Sequence, residues 1–148
     1  MNRAYKYRID PTAEQEQLIT DTFGSCRFVY NHYLALQLEN YQQGKAYWNK
    51  TACNNNCNQI LKQEQPWLKQ VDKFALTNAI YALDTAYQRF FRKQGGYPRY
   101  KSRRHSHMSY TTNYTNGNIA LLAGEVRLPK LGKVTAAIMC QSFTSIRP

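Results

Sequence analysis

The residues that could do chemistry in this chain are few and scattered. Its nine acidic side chains do not gather into the two or three carboxylates that hold divalent ions for phosphodiester cleavage. Asp10, Glu14 and Glu16 lie closest together, and their places suit a strand end and the first turn of a helix. There is no G-x-S-x-G, no P-loop and no H-E-x-x-H. Cys53 and Cys57 form a CxxxC pair with no second pair and no histidine nearby, short of the four ligands of a tetrahedral zinc site. Cys26 reads as a small buried apolar residue, and Cys140 stands alone in the tail. His105 and His107 sit in a basic loop, where contact with a phosphate backbone suits them better than ligation. The expectation is a chain that is not itself an enzyme, with no metal or other cofactor of its own.

The cations are another matter. Lys plus Arg is 20 against 9 acids, a net charge of +11. So much like charge repels itself, and its usual purpose is a polyanion. From Thr85 to Gly124 no acid occurs, while Arg89, Arg92, Lys93, Arg99, Lys101, Arg103 and Arg104 do. Phosphates would reward that surface through counterion release; a solvated basic face is the blander reading. No run reaches the roughly 20 apolar residues of a membrane span, and the N-terminus has no apolar signal core. The expectation is a cytoplasmic protein with reduced cysteines and no membrane partner.

The elements that must position these cations follow from periodicity. In MNRAYKYRID, Tyr5, Tyr7 and Ile9 alternate with Lys6 and Arg8, a strand with one buried and one basic face. Asp10 or Thr12 caps a first helix from Ala13 to Thr22, and Gly24 is expected to part it from a second. In that second helix Cys26, Tyr30, Tyr33, Leu34, Leu38 and Tyr41 make one stripe, with Arg27 and Asn31 on another side. Residues 42–58 read as a polar loop in which Tyr47 and Trp48 either plug the core or stack on a ligand. Between Trp67 and Gly95, Leu76, Ile80, Leu83, Tyr87 and Phe90 step by four and three, a helix whose other side carries Lys73, Thr77 and Asn78. Such side chains can follow base edges in a groove. In the loop GGYPRYKSRRHSH, rings and cations interleave in the manner of single-strand binders. From Ser109 the pattern turns β: YTTNYT, a turn at Asn116-Gly117, then IALL, VRL and KVTAAIM. These late strands can pair with the first, giving an α+β fold with the helices inserted in a small β-barrel.

Six segments in order, KYRIDPTAEQEQLI, FGSCRFVYNHYLA, PWLKQVDKFALTNAI, DTAYQRFF, GGYPRYKS and LPKLGKV, resemble the start of the TnpB (OrfB) family of insertion-sequence proteins, over residues 4–134. The resemblance implies an RNA-guided DNA nuclease family. Residues 1–10 and 105–140 would form its β-barrel wedge, residues 11–104 the helical recognition insertion, and residues 141–148 an atypical tail. It implies a guide RNA and double-stranded DNA as partners, in a bacterial or archaeal cell, near the nucleoid. Motif reading in DNA would fall on Tyr47, Thr51, Lys73, Phe74, Thr77, Asn78 and Thr115. Relatives often have glutamine where Thr77 stands, so the motif itself would differ. RNA and phosphate contacts would fall on Lys6, Arg8, Arg27, Asn31, Arg99, Lys101, Arg103 and Arg104. The family's nuclease domain and its zinc ribbon, with their metals, have no counterpart in these residues. Two other readings stand beside this one: a helix-turn-helix DNA-binding protein that works without RNA, and one half of a nuclease completed in trans.

Overall fold

In the computed structural model, residues 3–105 and 108–138 are described, in two units: residues 3–19 with 114–138, and residues 20–105 with 108–113. Cys140, His107 and the tail segment 141–148 lie outside the described residues.

In the first unit, strand β1 (Tyr7–Asp10) ends at Asp10-Pro11, and helix α1 (Ala13–Gln42) starts immediately after. Thr12 makes the start: its backbone N–H donates to Gln15 Oε1 at 2.9 Å, and the Gln15 N–H returns to Thr12 Oγ1 at 3.3 Å. This reciprocal pairing satisfies donors that the first helical turn leaves over. Gln15 Nε2 also donates to the carbonyls of Leu131 (3.2 Å) and Lys133 (2.7 Å). Strands β2 (Ala120–Leu122), β3 (Glu125–Leu128) and β4 (Gly132–Ile138) follow. All pair antiparallel in the order β1-β4-β3-β2, so the N-terminal strand lies beside the last one, as expected. Asp10 faces Thr135, which faces Glu125 on the other side. Val126 on β3 and Val134 on β4, partners across the two strands, are buried, as is Leu131 in the turn between them. Gly132, at φ +73°, follows Lys130 at +68° in the tight turn before β4. Among the described residues β1 and β2 are the outer strands of the sheet.

Asn116-Gly117 does make a turn, with φ of 51° and 73° and the Asn118 N–H on the Thr115 carbonyl at 3.1 Å. The strand expected before it does not form: residues 109–115 have no strand partner, and Thr115 lies in a loop with its N–H on Asn118 Oδ1 at 2.7 Å. β-propensity expresses itself only against a partner strand.

The second unit is helical. The expected break at Gly24 is absent, because α1 runs unbroken from Ala13 to Gln42. A glycine inside a helix costs about 1 kcal/mol relative to alanine. Burial of Thr22, Ser25, Val29, Tyr30, Tyr33 and Leu34 around it outweighs that cost. The predicted stripe is correct at Tyr30, Tyr33 and Leu34 but not at Tyr41, which is exposed; Val29, Gln37 and Asn40 share the buried side instead.

Residues 42–58 are not simply a loop. Asn49 caps helix α2 (Lys50–Asn56) by accepting from the Ala52 N–H at 2.8 Å. The helix continues through a π turn (Cys57–Leu61) into α3 (Lys62–Glu64). Cys53, Cys57 and Leu61, four apart, face the core, and Asn54 and Asn56 between them are ties. The Tyr33 hydroxyl donates to Asn56 Oδ1 at 2.8 Å, and the Thr77 hydroxyl to Asn54 Oδ1 at 3.1 Å. A short 3₁₀ turn (Pro66–Gln70) leads to helix α4 (Lys73–Phe91), capped by Asp72. Leu76, Ile80, Leu83 and Tyr87 are buried as their spacing predicts. Phe90, the next step of the stripe, is 37% exposed, because the helix ends one residue later.

Candidate nucleic-acid interface

Two amide side chains on α1 each hold a distant backbone from both sides. Gln37, buried, donates Nε2–H to the Trp48 carbonyl at 2.6 Å and accepts the Trp48 N–H on Oε1 at 3.1 Å. Asn31 does the same 70 residues away: Nδ2–H donates to the Lys101 carbonyl at 2.8 Å, and the Lys101 N–H returns to Oδ1 at 2.8 Å. The Lys101 ammonium then lies 4.3 Å from the centre of the Tyr30 ring, a cation–π contact worth about 0.5–1 kcal/mol at an open site. Behind Lys101, Pro98 is buried and the Tyr97 and Tyr87 hydroxyls are hydrogen-bonded at 2.8 Å. Ahead of it, Ser102 Oγ accepts the His105 N–H at 3.1 Å. The basic segment is thus seated on the helices at a fixed register. Arg99, Arg103 and Arg104 stand exposed along it.

Beneath this segment, within the helical unit, is a pocket of about 180 Å³. Arg27 and Lys101 bring charge to it, Phe23 and Tyr110 rings, and Cys26 and Asn78 smaller polar groups. The two rings meet edge to face at 5.8 Å. Cys26 is no nucleophile: burial pushes its thiol up to about 12, Lys101 only partly opposing and Asp72 adding to the rise. Its sulfur lies 3.4 Å from the Ala75 carbonyl oxygen. Burial likewise pushes Cys53 up to about 11. His32, stacked at 6.0 Å on Phe28 and edge-on to Tyr33, is lowered by burial, with Glu64 opposing.

Of the residues expected at the interface, the helical unit brings Arg27, Asn31 and Lys101 together beside Arg99, Arg103 and Arg104. Asn31 acts there as the clamp, with both ends of its amide engaged. The α4 candidates divide in the same way. Lys73 is exposed at the first turn, its ammonium 5.1 Å from the Phe74 ring. Thr77 donates to Asn54, and Asn78 donates to the Thr111 carbonyl at 2.9 Å and Asn113 Oδ1 at 3.2 Å. Tyr47 is half-buried, its hydroxyl on Asp84 Oδ1 at 2.7 Å and its ring against Tyr87 and Phe91. Burial and that hydrogen bond push its phenol up. Thr51 is exposed on α2. Lys6, Arg8 and Thr115 belong to the other unit, where Arg8 Nε lies 3.7 Å from Asp10 Oδ1 at an exposed position. Sequence reasoning missed Gln37, Asn54 and Asn56, which set the helices; a long amide between apolar stripe positions was the signal for Gln37.

Residues 1–46 match the family described as the helix-turn-helix domain of OrfB insertion-sequence proteins. A protein of Streptomyces pristinaespiralis with the provisional name RNA-guided DNA endonuclease is 34% identical over 133 residues, 88% of this chain and 32% of its own length. InsQ of Escherichia coli (strain K12), provisionally named in the same way, is 34% identical over 107 residues, 68% of this chain and 25% of its own length. This chain belongs to the TnpB (OrfB) family. It spans between a quarter and a third of the length of these two relatives. Among the described residues no helix is long and apolar enough to cross a membrane. No three of their His, Cys, Asp or Glu side chains are grouped as metal ligands.

Proposed function

We propose that this chain supplies the nucleic-acid-holding part of a TnpB-type RNA-guided protein. In this reading the 99–104 segment and Arg27 bind guide RNA, and the first turn of α4 reads a short motif in duplex DNA. The supporting observation is the Asn31 clamp on Lys101, which fixes the backbone of the segment that carries the exposed Arg99, Arg103 and Arg104. Fixing that backbone in advance lowers the entropy lost on binding, and each phosphate the arginines neutralise releases counterions. Sequence is left to base pairing by the guide, so the protein needs to read only a short duplex motif. Lys73 and Thr51 are exposed and serve that reading directly. Tyr47, Thr77 and Asn78 serve it by fixing the surface, since their polar ends already have partners. The residues of this chain are assigned binding and no cleavage step, in keeping with its scattered acids. Lys6, Arg8 and Thr115 in the sheet unit add contacts to the same nucleic acids.

The test is purification of the full chain from its host at moderate salt, with sequencing of bound RNA and DNA binding before and after ribonuclease. A discrete RNA, with motif-dependent DNA binding that ribonuclease abolishes, is the expected result. Equal DNA binding after ribonuclease overturns the RNA-guided reading in favour of an RNA-independent DNA-binding protein.

A further inference from the structure

We propose that the C-terminal end of α4 is a stacking platform for the unpaired bases of a single-stranded nucleic acid. The inference rests on the nucleic-acid reading above and adds to it a built platform, in which Phe90 and Phe91 of α4 join the loop ring Tyr97.

Phe90, Phe91 and Tyr97 are 37%, 51% and 39% exposed at one end of the helical unit. Three large rings open to water there call for an explanation, since a helix end can turn such residues inward or replace them at little cost. They are also held still. The Phe90 ring meets Tyr97 edge-on at 5.2 Å and lies 5.9 Å from Phe91. Phe91 rests edge-on against Tyr47 at 5.3 Å, whose hydroxyl is tied to Asp84. Tyr97 is tied through its hydroxyl to Tyr87, which is buried. An inner pair of rings thus fixes an outer three, so a ligand gains contact area while little side-chain entropy is lost.

The surroundings choose the occupant. Arg89 stands in the last turn of α4, Arg92 caps it, and Arg99 follows Tyr97 by two residues; all three are exposed. No acid occurs from Thr85 to Gly124, and Asp84 is occupied by Tyr47. Rings set among these arginines complement a ligand that is both aromatic and polyanionic. A duplex keeps its base faces stacked inside and offers such rings only phosphates. A single strand offers both, and stacking tolerates any base because every base has a π-face.

The experiment compares the full chain with its Phe91→Leu and Phe91→Trp variants, folding being checked by circular dichroism. Leucine keeps the apolar packing and removes the ring; tryptophan keeps a ring. The probes are a short fluorescein-labelled oligouridylate and a labelled DNA duplex of equal length, at one salt concentration. The expected result is about tenfold weaker oligouridylate binding in Phe91→Leu, recovery in Phe91→Trp, and unchanged duplex binding. Unchanged oligouridylate binding in Phe91→Leu overturns the platform, as does an equal loss on both probes. A change in sedimentation of the free Phe91→Leu chain also overturns it, by making a second copy the occupant. A wild-type chain that binds duplex but not oligouridylate overturns the platform alone; one that binds no nucleic acid overturns the broader reading as well.

Discussion

Replacing Asn31 with alanine should release the basic segment while leaving the helices intact. Two hydrogen bonds of 2.8 Å, one donated and one accepted, join Asn31 to the Lys101 backbone. Each contributes about 0.5–1.5 kcal/mol net, and because the site is open, water replaces part of what is lost. The pair is therefore worth about 1–2 kcal/mol, or roughly a 5- to 30-fold increase in local opening. The Lys101–Tyr30 contact and the Tyr97–Tyr87 bond survive the substitution, so the segment loosens rather than detaches. Amide hydrogen exchange reads this directly. The Lys101 amide should exchange about 10-fold faster in Asn31→Ala, while those of Leu76 and Ile80 in α4 keep their rates. RNA affinity should fall by at most that factor, reaching it only if the freed segment is mostly open. Unchanged Lys101 exchange would mean that the segment is held by something else. Faster exchange throughout the helices would mean that Asn31 supports the core rather than the loop.

Gly24→Ala should raise stability by about 0.5–1 kcal/mol in urea unfolding, because Gly24 is inside a helix. A Cβ there meets only the Arg27 side chain at 3.9 Å; a loss would point to a turn at this position. Leu83→Ala should cost about 2–5 kcal/mol by the same measurement, since Leu83 is 2% exposed in the α4 core; a loss under 1 kcal/mol would contradict that packing. Alkaline pH should destabilise the fold. Burial keeps Cys26 protonated to about 12 and Cys53 to about 11, whereas in the unfolded chain they ionise near 9. Above that value the unfolded state binds fewer protons, so stability falls as pH rises through the folded values. A urea midpoint that stays flat across this range would refute the placement of the two thiols.

The sheet was legible because its signals are local. Alternation around Tyr7 and Ile9 and the turns at Gly124 and Gly132 mark the strands, and the remaining strand ends find partners by elimination. The stripe Leu76, Ile80, Leu83, Tyr87 was legible for the same reason. Gly24 was misread because a helix-breaking preference of about 1 kcal/mol is small beside the burial that spans it. The helix at Lys50–Asn56 was hidden by its asparagines, which look like loop residues until Tyr33 and Thr77 are found bonded to them. At the candidate interface the positions of the cations were legible, but the roles of Asn31 and Asn78 were not. Their partners lie 70 and 33 residues away, and no local pattern specifies them.

If the clamped basic segment grips a polyanion, binding must weaken steeply as salt is added. The full chain and an Arg99→Gln, Arg103→Gln, Arg104→Gln variant would be titrated with the co-purified RNA over a range of salt concentrations. Log K should fall steeply with log salt in the wild type, with a slope shallower by about 2 to 3 in the variant. A flat wild-type slope, or the same slope in both proteins, would contradict it.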